Sequence, residues 1–117
     1  MTRDEIIAKW DVLTPRERDA WVAEGVLETN VYRDSFGDPF DNCTGDPLPY
    51  YSEDNSAAWS VFERFPYVEI ARLPGAFTTY GARINGTDGS IRAMTQKPTF
   101  PEAICLAAII AKLTPTV

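Results

Sequence analysis

Pro101-Glu102-Ala103-Ile104-Cys105-Leu106-Ala107-Ala108-Ile109-Ile110-Ala111-Lys112-Leu113 is the stretch that decides the fold. Its run of alanine, isoleucine and leucine predicts a helix from about Pro101 to Leu113 with almost no polar face. Such a helix has to be covered on most sides, so the rest of the chain must supply layers around it. It is too short to cross a bilayer, which takes about 18 to 20 apolar residues. Two caps fit its start. Thr99 offers a capping box with Glu102, and Phe100 precedes Pro101, which resists helical geometry at that position.

Upstream of this helix the pattern changes to strands. Tyr67 to Leu73 has β-branched and aromatic content, Pro74-Gly75 makes a turn, and Ala76 to Ile84 and Ser90 to Thr95 read as two further strands. Asn85-Gly86-Thr87-Asp88-Gly89 joins the last two and carries two hairpin pairs, Asn-Gly and Asp-Gly. Further upstream, Thr14-Pro15-Arg16-Glu17 marks a helix start with cap, first-turn proline and capping box. Trp21, Val22, Gly25 and Val26 form its apolar stripe, with Arg16, Asp19 and Glu24 on the solvated side. Asp4 to Trp10 reads as a short additional turn of helix. A second helix fits Ser52 to Phe65, capped by Ser52, with Ala58, Trp59, Phe62 and Phe65 facing the core and Pro66 ending it. Between these helices, residues 29–52 hold so many glycine, proline and asparagine breakers that they read as one long irregular loop. Its aromatics, Tyr32, Phe36, Phe40, Tyr50 and Tyr51, favour a loop that packs. The expectation is an α+β fold, a single domain over 1–117. Its three-stranded antiparallel sheet packs with helices in a layered α/β/α sandwich.

At 117 residues and 44% hydrophobic content the chain can bury one core. The N-terminus, Met1-Thr2-Arg3-Asp4-Glu5, has no apolar stretch of the signal-peptide kind, so a cytoplasmic protein without membrane association is expected. Cys43 in a polar loop and Cys105 in the apolar run are expected to be reduced thiols rather than a disulfide. The net charge of −6 argues against binding a DNA or RNA polymer or an anionic membrane, which need a basic face. The charge is unevenly spread. Residues 1–58 hold 13 acids against 5 bases, whereas residues 59–117 hold 4 acids against 6 bases, so the second half suits a small anion.

The chain has no histidine, which removes the common Ser-His and Cys-His nucleophilic arrangements. Zinc sites and other cofactors are not expected, since paired cysteines and a Gly-rich phosphate loop are both missing. Asp34, Asp38, Asp41 and Asp46 do not follow the alternating pattern of a calcium loop and read as turn formers. Cys105 inside an apolar helix reads as an inert core thiol. The suggestive group is Arg72, Arg83 and Arg92, one on each predicted strand, with Thr78 and Tyr80 between them and Lys97 just beyond. Arginine pairs bidentately with phosphate and aromatic rings stack on bases, so these residues suit a nucleotide-like ligand. Dispersed arginines on a half-solvated sheet would give the same sequence. Alternation also divides them: Arg83 shares parity with Thr79 and Gly81, whereas Thr78 and Tyr80 share parity with Ala82 and Ile84. Tyr50 and Tyr51 would either line a ligand mouth or staple the loop to the core.

Pro49-Tyr50-Tyr51-Ser52-Glu53-Asp54-Asn55-Ser56-Ala57-Ala58-Trp59, followed by Val61-Phe62-Glu63, resembles the central motif of the phage ABA sandwich domain family. Asp19-Ala20-Trp21-Val22-Ala23-Glu24-Gly25-Val26-Leu27 is similar to that family's first helix, and Pro101 to Ala108 to its last. The chain departs from the family around Phe77-Thr78-Thr79-Tyr80 and in the loop from Val31 to Pro49. The resemblance implies a small phage protein and transfers no catalytic residue. By analogy it suggests a sponge that sequesters a nucleotide-derived signal of host immunity, at a subunit interface of a homo-oligomer. The alternative is a factor that binds a host protein through the acidic first half.

Overall fold

Among the described residues four helices begin where a side chain takes up a backbone N–H that the first helical turn leaves without a partner. In α1 (Arg3–Val12) the cap is Thr2, whose hydroxyl accepts from the Glu5 amide while the Glu5 carboxylate accepts from the Thr2 amide. Thr14 and Glu17 repeat this reciprocal box at α2 (Pro15–Gly25), with Pro15 in the first turn. Asp54 caps α3 (Asn55–Phe62) by accepting from the Ala57 amide. Thr99 is the cap of α4 (Phe100–Leu113), accepting from the Glu102 amide. The structure, a computed structural model, describes residues 1–114.

Strands β3 (Val68–Leu73), β4 (Thr79–Asn85) and β5 (Ile91–Lys97) form the expected antiparallel sheet in the order β3-β4-β5. The earlier pair, β1 (Val31–Arg33) and β2 (Pro39–Asp41), forms a separate two-stranded hairpin. Within 29–52, therefore, the breakers are used to build a turn. The Asp34 carboxylate accepts from the Phe36 and Asp38 amides, and Gly37 supplies a φ of +85° at the tip. Pro39 is tolerated because β2 has a single ladder partner apart from one bridge to Pro47.

Alternation gives the sheet two different faces. Ala82, Ile84, Ala93 and Thr95 are buried, and Val68 and Ile70 stand opposite Ile84 and Ala82 on the same side. Helix α4 lies on this face, and small residues on both surfaces let backbone and helix come close. Thr95 is the one buried hydroxyl on the strands facing α4, and it donates to the Ala103 carbonyl at 2.7 Å. Helices α1, α2 and α3 pack against α4 in turn. Ten residues of α4 are buried, so the almost wholly apolar run occupies the middle of the molecule as its composition requires. Each buried isoleucine or leucine there contributes roughly 1.5–3 kcal/mol relative to exposure.

Four local expectations are corrected. The Asp4 to Trp10 turn is a full helix, set off from α2 by the extended residue Leu13, with Ile6 and Trp10 buried one turn apart. Ser52 is not the cap of α3; it is buried three residues upstream, and the helix is correspondingly shorter than Ser52 to Phe65. Asp19, placed on the solvated side of α2, is fully buried. Trp59, placed in the core, is 45% exposed, and Val61 takes the inward position beside Ala58 and Phe62.

Candidate functional site

The ladder brings three of the candidate residues onto one rung. Arg72 on β3 stands opposite Tyr80 on β4, and Tyr80 stands opposite Lys97 on β5. Their side chains leave the same face as α4, at the end of the sheet where α4 begins. The first residue of α4, Phe100, packs its ring edge-on to Tyr80 with centroids 6.1 Å apart. Its other neighbour is the indole of Trp59 from α3, stacked at 6.4 Å with planes inclined by 19°. An aromatic rim therefore runs from Tyr80 through Phe100 to the half-exposed Trp59, with a cation at each end of the adjoining rung. Lys97 leans toward Asp11 at 3.5 Å, while Arg72 is exposed and has no ion-pair partner among the described residues. Trp59 and Phe100 belong to this rim without standing out as site residues in the sequence: the apolar stripe of α3 assigns Trp59 to the core, and Phe100 reads there only as a helix cap.

The other candidates lie elsewhere. Arg83 is on the opposite face of the sheet, hydrogen-bonded and ion-paired to Glu69. Arg92 donates to the Ala111 carbonyl at 3.1 Å and so serves the C-terminal end of α4, where a cation suits the helix dipole. Thr78 is exposed in the turn before β4. The Tyr51 side chain is buried, which holds its phenol protonated above the usual range, with Asp41 and Asp19 adding to the effect of burial. Its carbonyl accepts from the Cys105 thiol. Tyr50 is exposed, with the Arg16 guanidinium 4.1 Å above its ring.

That last contact belongs to a polar node that fixes the Pro49-to-Ser52 segment to α2. The Asp19 carboxylate accepts from the Ser52 amide at 2.8 Å, from the Ser52 hydroxyl at 2.7 Å, and from Arg16 at 2.7 Å. Arg16 donates again to the Leu48 carbonyl at 3.0 Å. Every group in this node has a partner, which is what allows a carboxylate at 0% exposure. The sequence signal was an Asp three residues after an Arg, which is ordinary for a helix surface, so its burial was not legible.

The open face of the sheet carries a shallow groove of about 450 Å³, lined by Ala71, Leu73, Gly81, Arg83, Met94 and Gln96 among others. Among the described residues, no cluster of three or more carboxylate or thiol groups is arranged to hold a metal ion. Nor is any helix among them long and apolar enough to cross a membrane.

The α+β layer fold thus presents at its surface an aromatic rim, an arginine with no ion-pair partner among the described residues, and a shallow groove. The model of the phage ABA sandwich domain matches residues 20–109, most of the chain, and the chain belongs to that family. Among solved structures it is similar to a phage protein from Bacillus cereus ATCC 14579, known from a 2.0 Å crystal structure. The two superpose with a TM-score of 0.65 at 20% identity, covering 86% of this chain and 88% of that one. At that identity the likeness concerns the fold. No curated protein matches the sequence.

Proposed function

We propose that this phage ABA sandwich protein is a non-enzymatic binding protein that captures a small nucleotide-like anion at the Arg72–Tyr80–Lys97 rung. In a phage protein, the fitting role is a sponge that sequesters a nucleotide-derived signal of host defence. The observation that carries the reading is the coincidence of the exposed Arg72 with the Tyr80–Phe100–Trp59 rim at one end of the sheet. Arg72 takes a phosphate through paired N–H donors, Lys97 adds a second positive charge, and the exposed face of Trp59 stacks on a base. The site so composed consists of Arg72, Tyr80 and Lys97 with Trp59 and Phe100. A chain without histidine is suited to holding such a ligand rather than cleaving it. The test is to load the protein with cyclic dinucleotides and cyclic ADP-ribose derivatives, isolate the complex and release the contents by heat. Mass spectrometry should return one of them intact. Retention of none of them sinks the reading, and recovery of a cleaved product replaces it with an enzyme.

One observation favours the alternative, capture of a host protein. Phe36 is 88% exposed at the tip of the β1–β2 hairpin, on a turn already ordered by Asp34 and flanked by the acidic half of the chain. An ordered aromatic of this kind is suited to fill a pocket on a basic partner. Loss of partner capture in Phe36→Ala, with small-molecule binding absent, would select this reading.

A further inference from the structure

The two edges of the main sheet are not equivalent. The Asn85 amide donates to the Tyr67 carbonyl at 2.9 Å, which sets the phase of the β3–β4 ladder. Bonded pairs then fall at every second residue, Glu69 with Arg83 and Ala71 with Gly81. The N–H and C=O groups of Val68, Ile70 and Arg72 consequently point outward from β3. Among the described residues no hydrogen bond reaches them. On the other edge the same alternation turns Met94 outward, and its carbonyl accepts from Arg3 of α1. One edge is engaged and the other is a bare row of ladder groups, the kind of edge that recruits another strand.

We infer that β3 is a homotypic docking edge, and that a second copy of this chain pairs with it antiparallel about a two-fold axis at Ile70. The inference is independent of the ligand reading, since the backbone of β3 carries it. Three features choose this occupant. First, the accessible strand is symmetric about Ile70: Pro66 and Pro74, which cannot extend a ladder, lie four residues to either side. Second, the outward groups repeat with the same symmetry. Ile70 bonds to Ile70 of the other copy, and Val68 to Arg72 in both directions, so each outward group finds a partner. Third, the charges agree. An antiparallel copy sets Glu69 opposite Ala71 and Arg72 opposite Val68, with no like charges facing, whereas a parallel copy would set Glu69 beside Glu69. The product is a continuous six-stranded sheet with a helix layer on one side.

Sedimentation over a concentration series tests this, with Ala71→Glu as the first variant because Ala71 is exposed and its side chain is not part of the core. The native chain should show a monomer–dimer equilibrium. Ala71→Glu sets two like-charge pairs across the axis and should weaken it roughly tenfold, and adding Glu69→Lys should restore it. A second, independent readout is Ile70→Cys combined with Cys43→Ser, which should give a disulfide-linked dimer on mild oxidation because the two positions meet at the axis. A native chain that stays monomeric throughout overturns the inference. A dimer indifferent to Ala71→Glu and not trapped through position 70 overturns it as well.

Discussion

Replacing Asp19 by alanine removes the acceptor on which the Pro49-to-Ser52 segment is anchored. Three donors lose it: the Ser52 amide, the Ser52 hydroxyl and Arg16. They do not lose equally. The Ser52 hydroxyl can turn to the Pro15 carbonyl, 3.1 Å away, and Arg16 keeps the Leu48 carbonyl and is partly open to water. The Ser52 amide has no such recourse in a residue that is 3% exposed, and leaving it bare costs about 1–3 kcal/mol. Loss of the charge-assisted bond to Arg16 and the small void raise the total to about 3 kcal/mol. For a domain of this size that lowers the melting temperature by roughly 10–15 °C. Asp19→Asn keeps one oxygen for the Ser52 amide but turns an NH2 toward Arg16, so about half the loss is expected. The assay is urea unfolding followed by tryptophan fluorescence, with Ser52→Ala completing a double-mutant cycle. An Asp19→Ala protein within about 1 kcal/mol of the native chain would refute the account of the node. So would an Asp19→Asn protein destabilised as much as Asp19→Ala.

The two thiols should behave oppositely toward an alkylating reagent. Cys43 is exposed and should react in the native protein, while burial raises the pKa of Cys105 and should keep it unmodified until unfolding. Two modified thiols in the native state would contradict this. The capping carboxylates should give an acid-sensitive component of stability. Glu5 and Glu17 titrate below the usual carboxylate range because the backbone N–H of Thr2 and of Thr14, followed by their hydroxyls, bond the ionised form. With the folded pKa depressed, their contribution is present at neutral pH and is lost as the pH falls through the folded values. Glu17→Gln should therefore flatten the fall in stability below about pH 4.5, and an unchanged slope would exclude the box as its source.

Much of this architecture could be read from local chemistry. Thr14, Pro15 and Glu17 specify a helix start with their own side chains, and the observed box uses those groups. The apolar run in α4 could only be a central helix, and Asn85 to Gly89 could only be a tight connection. What escaped depended on partners distant in sequence. Asp19 looks solvated by periodicity, and only the return of Ser52 from 33 residues away makes its burial tolerable. Ser52 and Asp54 are both good caps by composition; Ser52 was already committed to Asp19, which left the helix start to Asp54. The candidate rim divides in the same way. Register placed Arg72, Tyr80 and Lys97 together, a relation fixed by pairing that alternation within single strands does not reveal. Trp59 joined them because α3 presents Val61 inward and lets the indole stack on Phe100 at the edge.

The most direct test of the proposed ligand site at the rim is calorimetric titration of the native protein and of an Arg72→Ala, Trp59→Ala double variant against cyclic dinucleotides and cyclic ADP-ribose derivatives. Arg72 is exposed and Trp59 lies half-exposed at the rim outside the buried core, so the variant should retain its fold by circular dichroism. Saturable binding of one ligand by the native chain, weakened at least about a hundredfold in the folded variant, is the predicted result, since a phosphate contact and a stacked base are each removed. Equal binding by both proteins would place the ligand elsewhere, and no binding by the native chain would contradict the account.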